Sequence, residues 1–352
     1  GGGVEKNLFI VANYLTKKIS KISLISASKK YKNRFSRSIV FISPKSKNWD
    51  LKSRRMKYMI CLFLLLKEIM RDKNLIVFAF QANIYCILIC KLLGIKIITR
   101  SNTAPAGWSK NIFKKLIFKL FLNSADQVMA NSNDFSKSLK SEFGVKARCI
   151  YNPLNKKEIK KKSKIKSKKI FSKNSKLKII NIGRFVDQKD QITFLRALNL
   201  IKNKIEYEAI LVGKGKDKNL LKDFINKNNL NNKIKLINFV KNPYPFLNEA
   251  EILVLSSKYE GLPNVLLEAQ VLKKFIISSD CPTGPREILL NGKGGYLFKV
   301  GDFKGLANKI LYYYKNKKML SKLINLSYEK LYRFDYNLNL KKYFLLVKKF
   351  KV

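Results

Sequence analysis

The 352-residue chain contains no histidine. That absence excludes Ser-His-Asp and Cys-His nucleophilic devices and HExxH zinc chemistry. Carboxylates are scarce as well, 23 Asp and Glu against 73 Lys and Arg, for a formal charge of +50. No Asp-x-Asp pair offers a bridging site to a divalent ion, so no metal is expected. No GxxxxGK[ST] loop is present, which argues against an ATPase. The five cysteines, Cys61, Cys86, Cys90, Cys149 and Cys281, lie mostly in apolar segments without metal-ligand spacing. They read as reduced core residues of a cytosolic protein. Long hydrophobic runs are missing too, the longest being the nine residues Tyr58–Leu66. A bilayer-spanning helix needs about 20, and no signal-peptide pattern is recognisable.

What is present suits a globular protein of two domains, with 46% hydrophobic and 12% aromatic residues. The charge is spread unevenly: residues 1–176 hold 40 Lys and Arg to 8 Asp and Glu, and residues 177–352 hold 33 to 15. Three explanations stay open. Abundant Lys, Asn and Ile together fit AT-rich coding, with the charge on a solvated surface. An anionic membrane leaflet would attract such a chain with about 1 kcal/mol per well-placed cation. Nucleic acid would attract it as well, but no zinc-finger, RNP or basic-zipper pattern supports that partner, and none is expected. The apolar–basic segment SRRMKYMICLFLLLKEIMRDK (53–73) reads either as buried core or as a docking helix.

Near-continuous apolar strands alternate with amphipathic helices in the second half. LKIINIGRF (177–185), YEAILVGKG (207–215), KIKLINFV (233–240), EILVLSS (251–257), FIISSD (275–280) and GYLFKV (295–300) read as strands. That rhythm predicts a parallel sheet covered on both faces, a Rossmann-like domain binding ligands at the carboxyl ends of its strands. The first half repeats the pattern less evenly, after a helix over 5–18. The expected organisation is a first domain over 1–155, a lysine-rich linker over 156–176, a second domain over 177–335, and a C-terminal helix over 336–352 returning to the first. Two such domains facing each other leave a cleft, a favoured ligand site. The start, Gly1-Gly2-Gly3, reads as a natural glycine loop or as a cloning scar. Either way a strand expected before it is missing, leaving the first domain short of an edge or central strand.

The segment KYEGLPNVLLEAQ (258–270) separates Glu260 from Glu268 by a Gly-Leu-Pro-Asn turn. Two carboxylates at that spacing suit the hydroxyls of a nucleotide sugar, while the helix start expected at Pro263 faces its phosphates. A surface Glu followed by an ordinary helix Glu would look the same in isolation.

The order of further fragments gives this segment its context. With GGGVEK, SADQVMANSNDFSKSLKSEFGVKARCIYNPL (124–154), NIGRFVDQKD (181–190), LVGKGKDKNLL and SSDCPTGPREIL, the chain resembles the family-4 glycosyltransferases of GT-B fold over nearly its whole length. These transfer sugars from nucleotide donors with retention of configuration. The resemblance implies that Arg184 and Lys189 bind the diphosphate, Glu268 the ribose, and Glu260 the donor sugar. Backbone N–H groups of Gly261, Leu262, Pro263 and Asn264 would line the same place, Pro263 lacking one of its own. It further implies that Gly213, with Gly215, admits close backbone approach, that Phe239 and Val240 flank the base, and that Gly2 and Gly3 approach the phosphate and acceptor. SSDCPTGPREIL is similar to enzymes that add hexose or N-acetylhexosamine to polyprenyl-diphosphate-linked sugars or surface polysaccharides.

One departure stands out. Many members carry a histidine after a strand of the first domain, where this chain has IITRSNTAP, with Arg100, Ser101 and Asn102 at the turn. That polar turn could orient acceptor or donor sugar. The expected activity is therefore metal-independent, retaining transfer from a UDP- or GDP-sugar to a saccharide, lipid-linked in the leading reading. The enzyme would be cytoplasmic or peripheral on an anionic membrane surface. The alternative is a non-catalytic or truncated sugar-nucleotide-binding paralogue.

Overall fold

The apolar runs form short parallel strands, and the amphipathic stretches between them form helices, in two separate units. The computed structural model describes residues 3–102, 111–166, 170–172 and 176–350. One unit comprises Gly1–Pro153 with Tyr336–Val352, the other Leu154–Asp335.

In the first unit β1 (Ile22–Ile25) and β2 (Ile39–Ile42) make a parallel pair. A parallel sheet of β3 (Ile76–Ala79), β4 (Lys96–Arg100), β5 (Gln127–Ala130) and β6 (Ala147–Cys149) follows, in sequence order. Among the described residues these are two ladders, not one sheet. Helices α1 (Gly3–Leu15), α2 (Arg54–Arg71), α3 (Asn83–Leu92), α4 (Ile112–Ser124) and α5 (Asn133–Phe143) connect and cover them. Side-chain caps set several starts: Ser53 accepts from the Met56 N–H, Asn111 from Lys114 and Ser132 from Phe135. Gly144 closes α5 in the left-handed region at φ +65°. The expected glycine loop differs in part: Gly3 is the first residue of α1, and Gly2 lies outside the described residues.

The second unit is one six-stranded parallel sheet of β7 (Leu177–Ile182), β8 (Tyr207–Gly213), β9 (Ile234–Asn238), β10 (Ile252–Leu255), β11 (Phe275–Ser279) and β12 (Tyr296–Phe298). Its order is β12-β11-β10-β7-β8-β9. All six segments expected to be strands are strands. Burial along the whole length of β8, β10 and β11 explains their near-continuous apolar sequence, since both faces of the sheet carry helices. The helices are α6 (Lys156–Ser163), α7 (Gln191–Ile201), α8 (Lys218–Lys227), α9 (Tyr244–Glu249), α10 (Asn264–Val271), α11 (Pro285–Ile288) and α12 (Phe303–Glu329).

The stretch expected as a linker, 156–176, begins instead as α6. Asn155 caps it by accepting from the Glu158 N–H, and Ile159 is buried where α6 packs on α9 and α10. One buried isoleucine and a good cap outweigh the lysine repulsion. Finally, α13 (Tyr336–Lys348) belongs to the first unit, where Leu340, Tyr343 and Leu346 join Val11 and Leu15 of α1 in a common core.

Candidate functional site

In the second unit the chain runs from β7 outward through β8 and β9, then returns to add β10, β11 and β12 on the other side of β7. Loops leaving the carboxyl ends of β7 and β10 therefore diverge, and an open parallel sheet binds its ligand at such a reversal. Arg184 and Lys189 lie on the first of these loops, and Glu260, Gly261, Leu262 and Pro263 on the second.

After β7, Gly183 continues the ladder by donating its N–H to the Val212 carbonyl at 3.0 Å. The backbone then leaves the sheet through Arg184, and a short 3-10 turn over Asp187–Lys189 ends in the left-handed Asp190. Asp190 caps α7, accepting from Thr193. This geometry aims Lys189 across the reversal, where its ammonium pairs with the Glu260 carboxylate. Both side chains are largely buried. Ser257 Oγ donates to the same Glu260 Oε1 at 2.6 Å.

The Glu260 backbone is fixed as firmly as its side chain. Its N–H donates to the Pro282 carbonyl at 2.7 Å, and its carbonyl accepts from the Thr283 N–H at 3.3 Å. Thr283 Oγ1 donates to the Gly261 carbonyl at 3.1 Å. Gly284, at φ +95°, presses so closely that a Cβ there would lie 2.5 Å from the Gly261 carbonyl oxygen. The loop after β11 thus clamps the Gly261–Pro263 turn. Pro263 stands at the N-cap of α10 with Asn264 as first helical residue, one position later than expected, because its ψ of 100° is extended.

Arg184 is exposed and donates to Gln188 Oε1 at 3.2 Å, while Gln188 Nε2 donates to the Tyr259 carbonyl at 2.9 Å. The arginine is therefore tethered to the loop that carries Glu260. Glu268 sits half-buried on α10, where the Tyr244 hydroxyl donates to Oε1 at 3.1 Å. At the end of β9 the Phe239 ring is 48% exposed, with the Lys214 ammonium 5.4 Å from its centroid. Val240 beside it is half-buried.

Gly213 and Gly215 have a local reason to be glycine. A Cβ on Gly213 would lie 1.8 Å from the Gly183 carbonyl oxygen, and one on Gly215 would lie 2.0 Å from that of Phe185. The close approach they permit is to the segment leaving β7.

The turn after β4 belongs to the first unit. Arg100 is 1% exposed. Its Nε donates to the Tyr343 hydroxyl at 3.1 Å, Nη2 to Asn152 Oδ1 at 2.6 Å, and Nη1 to Asn102 Oδ1. The guanidinium also lies 5.4 Å from the Phe80 ring centroid. Asn102 in turn donates to the Phe80 carbonyl at 2.8 Å, and the Ser101 N–H to Met129 at 2.9 Å. Arg100 is thus a strut between β4, α13 and the segment after β6.

Sequence reasoning missed Ser257, Thr283, Tyr244 and Lys214, whereas Cys281 is the buried, free thiol it was read as. The serine pair ending EILVLSS and the Cys-Pro-Thr-Gly turn were visible, but nothing local tied them to Glu260. The Cys281 thiol is pushed up to about 12 by burial, with the Glu260 charge adding to the shift. It stays a neutral packing group. Among the described residues no cluster of three or more metal-ligating side chains occurs. Chemically, the site offers cations at a strand reversal beside a rigid, prepaired carboxylate, with a second carboxylate on the adjoining helix.

Comparisons with known proteins bear on the fold that carries these residues. The model of glycosyl transferases group 1 matches residues 162–330, and that of glycosyltransferase family 4 matches residues 1–158. An uncharacterised glycosyltransferase of Methanocaldococcus jannaschii is 32% identical over 274 residues, 71% of this chain and 66% of that protein. The N-acetylgalactosamine-N,N'-diacetylbacillosaminyl-diphospho-undecaprenol 4-alpha-N-acetylgalactosaminyltransferase of Campylobacter jejuni is 27% identical over 66% of this chain and 67% of its own. The matched stretch thus spans about two thirds of each relative's length. The crystal structure of HepE from Anabaena in complex with UDP superposes with a TM-score of 0.76 at 15% identity, covering 99% of this chain and 96% of HepE.

Proposed function

The chain belongs to the family-4 glycosyltransferases and has their GT-B fold; from that premise we propose that it transfers a hexose or N-acetylhexosamine, with retention, from a UDP-sugar to a lipid-linked saccharide. The observation that carries this reading is the Lys189–Glu260 pair astride the β7/β10 reversal. UDP is preferred to GDP because HepE, of the same fold, was solved with UDP. The lipid-linked acceptor follows the Campylobacter relative, whose name specifies a diphospho-undecaprenol substrate.

Arg184 and Lys189 meet the diphosphate and offset the charge that grows on it as the glycosidic bond breaks. Glu268, oriented by Tyr244, accepts hydrogen bonds from the ribose hydroxyls. Glu260, held by Ser257 and Lys189, accepts from hydroxyls of the donor sugar. The acceptor oxygen bonds to C1 on the face from which the phosphate oxygen departs. That departing oxygen takes the acceptor's proton, so configuration is retained and UDP is released. No side-chain base is needed, in keeping with a chain that has no histidine. The cations do the work a metal does elsewhere, so transfer proceeds in EDTA.

The test is binding of UDP-, GDP- and ADP-sugars in EDTA by the full chain and by Glu268→Ala. One nucleotide class, UDP, should bind and weaken by about tenfold or more in the variant, the cost of a charge-assisted hydrogen bond. A folded wild-type chain that binds none of them would support a non-catalytic paralogue instead.

A further inference from the structure

Three lysines of the second unit converge on one phenol, and none of them belongs to the proposed donor site. Tyr328 lies near the end of α12. The ammoniums of Lys156, Lys160 and Lys273 stand 5.6, 5.2 and 5.1 Å from its ring centroid. Lys160 Nζ also donates to the Tyr328 hydroxyl oxygen at 2.9 Å. Lys156 and Lys160 sit one turn apart on α6, Lys273 follows α10, and α10 packs on both α6 and α12. The cluster is therefore built from three elements held against one another.

Among the described residues none of the three lysines pairs with a carboxylate. Glu158, the one carboxylate of α6, pairs with Lys162 instead. Three like charges around one ring repel at a range that salt screens only in part. Attraction to the ring offsets some of that repulsion. Lys273 is held in place at a further backbone cost. It follows the Leu272 C-cap of α10 at φ +54°, a left-handed position that glycine usually fills. The same field lowers the Tyr328 pKa, through the Lys160 hydrogen bond first and then the charges of Lys160, Lys156 and Lys273. A phenol that accepts from Lys160 still has its own O–H to donate. No acceptor for that hydrogen stands among the described residues.

We propose that Lys156, Lys160, Lys273 and the Tyr328 hydroxyl form a binding site for a small phosphate-type oxyanion. Three ammoniums and one phenol O–H make a donor set without an acceptor, which calls for a ligand with several anionic oxygens. A phosphate supplies them with close to two charges, whereas a carboxylate brings two oxygens and one charge. Lys160 and Lys273 are exposed, and Lys156 and Tyr328 half-buried, so the site opens to solvent on one side and is backed by the ring on the other. Bound there, the anion cancels the repulsion and ties α6 to the end of α12. Free phosphate or diphosphate and the diphosphate of a nucleotide share this chemistry.

The experiment is isothermal titration of the full chain with sodium pyrophosphate, and separately with UDP, at an ionic strength fixed with sodium chloride. Lys156→Gln/Lys160→Gln/Lys273→Gln should lose one pyrophosphate site of the wild type, its affinity falling about 100-fold or more. UDP-sugar affinity should be unchanged, and pyrophosphate should raise the melting temperature less than in wild type. Tyr328→Phe keeps the ring and the lysines but removes the O–H, and should weaken the same site about fivefold. A site lost to pyrophosphate alone would assign it to free phosphates, and one lost equally to UDP would assign it to a nucleotide diphosphate. A triple variant that keeps every pyrophosphate site of the wild type would reduce the cluster to diffuse attraction on a chain of +50 and overturn the proposal. Absence of saturable pyrophosphate binding by the wild type would overturn it as well.

Discussion

Two cations of this chain have opposite fates, and their surroundings decide which. Lys189, half-buried, meets a carboxylate at the edge of a strand reversal. Arg100 is enclosed, and each of its guanidinium nitrogens donates to a neutral oxygen of the same unit. A planar fork is needed to reach Tyr343 and Asn152 together, and lysine has none. Arg100→Lys should therefore lower the stability of the first unit by about 2–3 kcal/mol in urea titration, leaving hydrogen-bonding groups unmatched. Affinity for the UDP-sugar proposed to bind the second unit should be unchanged below the transition. Unaltered stability with lost turnover would instead give Arg100 a direct part in the reaction. Its burial was not legible in the sequence, where a charged residue in a polar turn reads as solvent-facing.

Among the elements, β7 and β8 with their glycines hold the site in shape. Gly213→Ala would place a methyl 1.8 Å from the Gly183 carbonyl oxygen, and neither backbone can yield without opening the ladder. Overpacking of that kind costs about 3 kcal/mol or more. Thermal melting should show a second unit that unfolds several degrees lower or fails to fold; unchanged melting would mean that the strand ends part freely. The strands themselves were readable because burial on both faces leaves long apolar runs such as FIISS and YEAILVG. The α6 helix was hidden, since its lysines outnumber the single Ile159 that anchors it. The sidedness of α4 was hidden for the reverse reason: IFKKLIFKLFL is apolar nearly all round, so sequence alone cannot say which side faces the core. Lys189 and Glu260 were legible as separate candidates, and the fold pairs them; Ser257 and Thr283, which hold Glu260, come together with it only through sheet topology.

Across the whole molecule, the residues proposed to hold the donor, Arg184, Lys189, Glu260 and Glu268, all belong to the second unit. Two of the 73 Lys and Arg, Arg184 and Lys189, carry that reading. The central claim is that Lys189 stabilises the departing diphosphate while Glu268 serves only to bind the nucleotide. Steady-state transfer from a UDP-sugar, run in EDTA on wild type, Lys189→Ala and Glu268→Ala with folding verified by melting, separates the two roles. The account predicts a kcat lowered about 100-fold by Lys189→Ala, and a donor KM raised about tenfold by Glu268→Ala with kcat nearly unchanged. Full activity in both variants, or turnover that appears only when a divalent ion is restored, would contradict it.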